Sequence, residues 1–416
     1  MLNIRVDRIG EHIKALKADL RAKLPDLKKV VAEVEDAMKR EVDEIATARE
    51  KGGSVVPILD YKDVEAGTIS EEIKAEMRRR GVAVVRGVYP RAQAEAWNDE
   101  IGDYLQRNRY TERPAPAAKD EYFSTLKSGK PQIFGIYWSK PQMAARTHPN
   151  SAKTRAFMNR LWKFAGEGKT YFDPDRETLY ADRIRRREPG DKTLGLSPHM
   201  DAGSVERWLD DEYRHVFRHV FSGNWQAYEP FDGAGRAETD EIPSPAVCST
   251  FRSFQGWTAL TPQGPGDGTL QVMPSTRAMV YLLLRPLMED VPDDILCGAL
   301  PARAFCIDRQ WHELLMPALS SIPHVEPGDT VWWHPDIVHA VEDEHRGKGY
   351  SNVIYIAAAP YCAKNAAYLE KQKAAFLAGK SAPDFSAEDY EVDFEGRATP
   401  DDLSDLGKKQ MGLIPW

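Results

Sequence analysis

Between about residues 185 and 361 the chain is broken into short strand-like pieces, each closed by a turn residue. The clearest are 268–273, 278–284, 330–333 and 351–357, and Pro189-Gly190 and Gly328-Asp329 are typical of the punctuation. Short β-branched and aromatic runs at such spacing predict an antiparallel barrel or sandwich. The flanks read differently. Over residues 10–49, Ile13, Leu16, Leu20 and Leu24 recur at steps of three and four, as do Val31, Val34 and Met38 after Pro25. This is the period of amphipathic helices, divided or kinked at the proline, whose ring and missing donor disrupt the ladder. Gly52-Gly53 ends that section.

Downstream, a helix around 73–77 leads through Gly81 into the apolar run Val82-Ala-Val-Val85, which predicts a buried strand. Helices are expected over 90–105, with Ala94, Trp97, Ile101 and Leu105 on one stripe, and over 151–164 and 366–377. Periodicity weakens over 110–149, where a loop region covering a substrate is expected. The expected organisation is an N-terminal helical segment (1–50), a β-rich domain with helical additions (55–362), and a C-terminal helix and tail packed on it (363–416).

Composition excludes several classes. A chain of 416 residues with 42% hydrophobic and 29% charged residues buries a substantial core. The net charge of −8 argues against a nucleic-acid surface. Local basic runs at Arg78–Arg80 and residues 183–187 fit a solvated face or a phosphate or carboxylate site. Cys248, Cys297, Cys306 and Cys362 lack the CxxC spacing of a zinc site and suggest no disulfide framework. No apolar stretch is long enough to cross a bilayer; the charged amino terminus without an apolar h-region does not fit a secretory signal, and its early acidic residues do not fit a mitochondrial one. The expectation is a soluble, cytoplasmic protein with a small-molecule ligand and no nucleic-acid or membrane partner, homo-oligomerisation being left open.

Three residues stand out chemically. His199-Met-Asp201 is an HxD step, and on a strand residues i and i+2 share a face. His339 closes the stretch Gly328-Asp-Thr-Val-Trp-Trp-His-Pro-Asp-Ile-Val-His339, at the junction of two strand-like runs. Two imidazoles and a carboxylate suit iron(II) and leave coordination positions free. With ten histidines in the chain an isolated HxD means little, and a second stands at His334-Pro-Asp336. Pro335 interrupts any regular strand there, so His199, Asp201 and His339 are the preferred set, with His334 as a capping or supporting hydrogen-bond group. Trp208, Trp257, Trp332, Trp333, Tyr281 and Tyr355 crowd the same region, as core or as pocket wall. Trp332 and Trp333 must face opposite ways, and Arg207-Trp208 is a candidate wall for an anionic or polar substrate head.

Four stretches carry a family resemblance: Gly81-Val-Ala-Val-Val-Arg-Gly-Val88, the His199–Asp201 step, Gly268-Thr-Leu-Gln-Val-Met-Pro-Ser275 (serine standing where glycine is usual), and the stretch ending at His339. They resemble the iron(II)/2-oxoglutarate-dependent oxygenases, most closely the phytanoyl-CoA-dioxygenase-like branch. Together with Ser351-Asn-Val-Ile-Tyr-Ile-Ala-Ala-Ala-Pro360, the whole chain resembles the bacterial and fungal group catalogued as domain of unknown function 1479. The resemblance implies a mainly β fold with packed helices, built on a double-stranded β-helix (jelly roll, cupin-like) core. It also implies a dioxygenase that uses dioxygen and 2-oxoglutarate to hydroxylate a small molecule, with Fe(II) held by His199, Asp201 and His339. Many relatives anchor the distal carboxylate of 2-oxoglutarate with Arg or Lys on the strand after the distal histidine. This chain has Gly349, Tyr350 and Ser351 there, so Arg346 with Ser351 as hydroxyl partner is expected to serve, Arg214 and Arg183 being the alternatives. A metal-dependent isomerase or hydrolase on the same barrel, or a binding protein without turnover, are the competing readings.

Overall fold

The structure, a computed structural model, describes residues 2, 4–24, 26–113, 131–193, 197–244 and 247–416. Its main strands are β1 (Ile58–Asp60), β2 (Val82–Arg86), β3 (Ile133–Phe134), β4 (Ile184–Arg187), β5 (His199–Met200), β6 (Phe254–Ala259), β7 (Leu270–Val272), β8 (Phe305–Cys306), β9 (Ser320–Ser321), β10 (Thr330–Trp333), β11 (His339–Val341) and β12 (Ser351–Ala358). They form a seven-stranded sheet, ordered β1-β2-β10-β6-β12-β4-β3, and a five-stranded sheet, ordered β8-β5-β11-β7-β9. All pairings in the two sheets are antiparallel except β1 with β2. Among the described residues no strand pairing joins the two sheets into a closed barrel.

The central strands β6 and β10 are buried at every position, which requires cover on both faces. Alternate residues supply it. Ala83, Val85, Trp332, Ile354 and Ile356 pack among Trp97, Ile101 and Met158 of the helices Arg91–Arg107 and Pro149–Arg160. Val82, Val84, Trp257, Val331, Trp333 and Val353 pack against Leu270 and Val272 of the five-stranded sheet. Trp332 and Trp333 therefore face opposite ways, as a strand's period of two demands.

The amino-terminal helices are Ile9–Lys23 and Leu27–Glu50, separated around position 25, which itself lies outside the described residues. Ile13, Leu20, Val31, Val34 and Met38 join a core with Leu282, Leu283 and Trp208. Residues 278–284, expected as a strand, form the helix Ala278–Leu284 instead. All seven residues are apolar and buried, and a run without a polar face carries no period to distinguish helix from strand. Helices also hold more residues than strands among those described, so the fold is mixed rather than mainly β. The cause is the flanks, where the long amphipathic helices lie. Part of the expected covering loop, 114–130, lies outside the described residues. The rest includes β3 and the helix Lys140–Thr147, opened by a Ser139–Gln142 capping box. Among the described residues no helix is long and apolar enough to cross a membrane.

The second HxD step is part of the core. The His334 ring stacks on Trp162 at 4.7 Å and 9°, with Nε2 3.0 Å from the Pro230 carbonyl. Burial pushes its pKa down to about 3, so the ring is neutral. Asp336, 1% exposed, accepts from Arg207 at 2.6 Å and from Arg236 at 2.7 Å. Burial opposes ionisation of that carboxyl, but the two guanidinium groups hold its pKa far below the usual range.

Two stability changes follow. Asp336→Ala strands two buried cations and is expected to cost about 3–5 kcal/mol in urea unfolding. At Gly81, φ is +64° and an added Cβ would lie 2.5 Å from Thr276 Cγ2 and 2.8 Å from Ile337 Cδ1. Gly81→Ala is expected to lower stability by about 1–3 kcal/mol. An unchanged urea midpoint would contradict either assignment.

Candidate metal centre

Strands β5 and β11 are neighbours, and His199 lies directly opposite His339 in their register. The two rings sit 4.4 Å apart, centroid to centroid. Asp201 follows in the bend just past the end of β5. Its Oδ1 is 3.1 Å from His199 Nε2 and 3.5 Å from His339 Nε2. One ligand atom from each of the three residues lies within 4.8 Å of the others, the only such group of three His, Cys, Asp or Glu found among the described residues.

The far side of each ring is tied in the same way. His199 Nδ1 is 2.9 Å from the Ser197 carbonyl, and His339 Nδ1 is 3.2 Å from the Ile337 carbonyl. A carbonyl accepts only, so each Nδ1 carries a hydrogen, and each Nε2, facing Asp201, is the ring atom placed to bind a metal. This backing orients imidazoles that bind metals. Burial would raise the Asp201 carboxyl, but the His339 and His199 rings beside it hold its pKa well below the usual carboxylate range. The side chain is half-buried and ionised, as a hard cation requires. Trp333 packs 5.3 Å from the His339 ring and closes one side.

These residues line a cavity with about 970 Å³ of empty space, part of it open to solvent, between the two sheets. Trp257, Trp333 and Tyr355 contribute apolar wall. Trp208, Trp332 and Tyr281 belong to the packed cores instead. Arg207, the candidate substrate wall, is committed to Asp336.

The expected carboxylate anchors separate. Arg183 lines the cavity; it lies 3.4 Å from Asp182 and over the Phe385 ring. The other three do not line it. Arg346 is exposed and its backbone N–H donates to the Gly266 carbonyl. Ser351 is buried and donates to Gln263 at 2.7 Å. Arg214 donates to the Trp208 and Leu209 carbonyls and pairs with Asp211.

Two cavity arginines were not singled out from the sequence. Arg185, 4% exposed, has both Nε and Nη2 buried without a hydrogen-bond partner. Burial pushes its pKa below the usual range, and a guanidinium in a protein stays charged. It sits on β4, paired with Val353 of β12 and Ile133 of β3. Arg187, on the same face of β4, shows the contrast, since its guanidinium donates to the Gly268, Glu342 and Asp191 carbonyls. A period-two reading of the basic run at 183–187 would have pointed inward. The second, Arg252, stands just before β6 with Nη2 3.9 Å from Asp201 Oδ2. No sequence signal marks it.

Comparison with known proteins places this architecture. The uncharacterized protein YbiU of Escherichia coli (strain K12) is 45% identical over 403 residues, covering 96% of each chain. The crystal structure of a putative oxidoreductase from Salmonella typhimurium LT2 matches with a TM-score of 0.92 at 44% identity, covering 97% of each chain. That of GlcNAc Inducible Gene 2, GIG2 (DUF1479), from Candida albicans matches with a TM-score of 0.83 at 27% identity, covering 97% of this chain and 90% of the other. The Gig2-like family model matches residues 7–413. A two-histidine, one-carboxylate centre within that architecture supports a metal-dependent enzyme, and the chain belongs to the Gig2-like family, DUF1479.

Proposed function

We propose that this protein is an iron(II)- and 2-oxoglutarate-dependent dioxygenase that hydroxylates a small molecule at the expense of dioxygen. One observation carries the reading: a single cavity holds both a two-histidine, one-carboxylate set and a buried arginine fork without a protein partner. Nitrogen and oxygen donors with open positions suit iron(II), and that centre, when bound, supplies the activation of dioxygen. The description of the Salmonella relative as a putative oxidoreductase agrees with it. The two facing, mostly antiparallel sheets with the site between them are compatible with a double-stranded β-helix.

The chain's own residues then have separate tasks. His199 and His339 present Nε2, held in register by the Ser197 and Ile337 carbonyls, and Asp201 supplies the anionic ligand. Nε and Nη2 of Arg185 form the side-on fork that matches a carboxylate with two parallel donors. It is the group we assign to the distal carboxylate of 2-oxoglutarate. Trp257, Trp333 and Tyr355 narrow the cavity and limit water beside the reacting centre. A metal-dependent isomerase or hydrolase on the same fold needs no such second anion site, and the free fork of Arg185 weighs against it.

Iron(II) added anaerobically with 2-oxoglutarate is expected to produce a metal-to-ligand charge-transfer band. Asp201→Ala should abolish it. Arg185→Gln should retain iron but raise the 2-oxoglutarate concentration for half-saturation by about 10–100-fold, the loss of a charge-assisted bidentate contact. Iron-loaded wild type with no band on saturation with 2-oxoglutarate would sink the reading.

A further inference from the structure

Eight arginines are buried among the described residues: Arg80, Arg146, Arg155, Arg185, Arg187, Arg207, Arg236 and Arg252. Six of them are engaged by the protein. Arg80 pairs with Glu76 and Glu44, Arg155 with Glu177, and Arg207 and Arg236 with Asp336, while Arg146 and Arg187 donate to backbone carbonyls. Arg185 and Arg252 differ. Neither guanidinium makes a hydrogen bond to a described residue, and both line the cavity that holds His199, Asp201 and His339. A buried charge left without a partner costs several kcal/mol; Arg185 has none, and Arg252 has only Asp201 at 3.9 Å, a carboxylate that a bound metal would share, so both are suited to ligand anions.

Resting on the dioxygenase reading, we infer that the prime substrate is itself an organic anion, a carboxylate that docks on Arg252. 2-Oxoglutarate has two carboxylates. One is committed to the metal with the adjacent keto oxygen, so only the distal one remains for an arginine. Position decides which arginine takes it. Arg252 Nη2 is 3.9 Å from Asp201 Oδ2, beside a metal ligand, whereas the distal carboxylate lies two methylenes beyond the chelating end. Arg185, which lines the same cavity and has no protein partner, takes the distal group, and the partner of Arg252 arrives with the other substrate.

Charge gives the same result. Arg183 is set against Asp182. A divalent metal with Asp201 leaves one positive charge, and Arg185 and Arg252 add two. The dianionic cosubstrate offsets two of these three, and a monoanionic substrate would neutralise the remaining one. Arg252 is 8% exposed and lies over the Tyr180 ring at 5.1 Å. Its position is thereby set, and its donors stay available. A carboxylate held there would fix one end of the substrate next to the metal, which is how a binding contact becomes positional selectivity.

The test uses anaerobic, iron-loaded protein saturated with 2-oxoglutarate and titrated with acetate and benzoate, with acetamide and benzamide as neutral counterparts, and with inorganic phosphate. Perturbation of the charge-transfer band and the thermal midpoint are read together. Each carboxylate is expected to bind wild type at least about ten-fold more tightly than its amide, the worth of one charge-assisted contact. Arg252→Gln should lose that preference while its half-saturation for 2-oxoglutarate stays within about two-fold. Arg252→Lys, which keeps the charge, should retain part of the preference and covers the case in which the glutamine variant does not fold. Equal binding of carboxylates and amides to wild type would overturn the inference, as would a preference that survives in Arg252→Gln or a preference for phosphate alone. Loss of 2-oxoglutarate binding in Arg252→Gln would overturn it too, by moving the cosubstrate to Arg252. Absence of the band in wild type would defeat the dioxygenase reading instead. The carboxylate-against-amide comparison, read by thermal shift without 2-oxoglutarate in wild type and Arg252→Gln, would then still decide whether Arg252 holds an anion.

Discussion

The pairing of β5 with β11 is the constraint on which the site depends. It sets His199 opposite His339 although 139 intervening positions separate them in the chain. Directly opposed residues on antiparallel strands stand about 5 Å apart, so one register brings two imidazoles to one point. A slip by one residue would turn one of them to the other face. The neighbouring pairings of β8 with β5 and β7 with β11 brace that register from both sides.

Around this point the protein handles buried charge in two ways. In the core it is closed off: Asp336 lies between Arg207 and Arg236, and Glu177 meets Arg155. In the cavity it is left without a hydrogen bond, at Arg185, which has no partner, and at Arg252, which has only Asp201 at 3.9 Å. The same desolvation penalty acts in both places. It makes the first set part of what holds the fold together and the second a demand for ligand anions. The cavity therefore combines an apolar aromatic wall with a few cations and one anionic metal ligand, the composition expected of a site that orients a small polar molecule.

Much of the architecture was legible in residue patterns. The period of the first fifty residues, the strand at 82–86 and the opposed tryptophans at 332 and 333 all follow from spacing alone, because one face of each element must meet the core. The run at 278–284 was not legible, because uniform burial erases the period. The balance of helix and strand was misjudged for a related reason. Family likeness rested on the strand motifs, and the helices outside them carry little motif content.

For the site, the side-chain types along the chain sufficed to propose His199, Asp201 and His339, since few other groupings of His and carboxylate share a strand-like spacing. Two questions were left to the tertiary structure. The first was which of two HxD steps faces a cavity: His334 and Asp336 are drawn into the core by Trp162 and two arginines. The second was which arginines lack partners. Sequence determines that a guanidinium is present and charged, but whether it meets a carboxylate, a carbonyl or empty space depends on segments far away in the chain. Arg187 and Arg185 share a strand and a face, and only the carbonyls of Gly268 and Glu342, folded against one of them, make the difference.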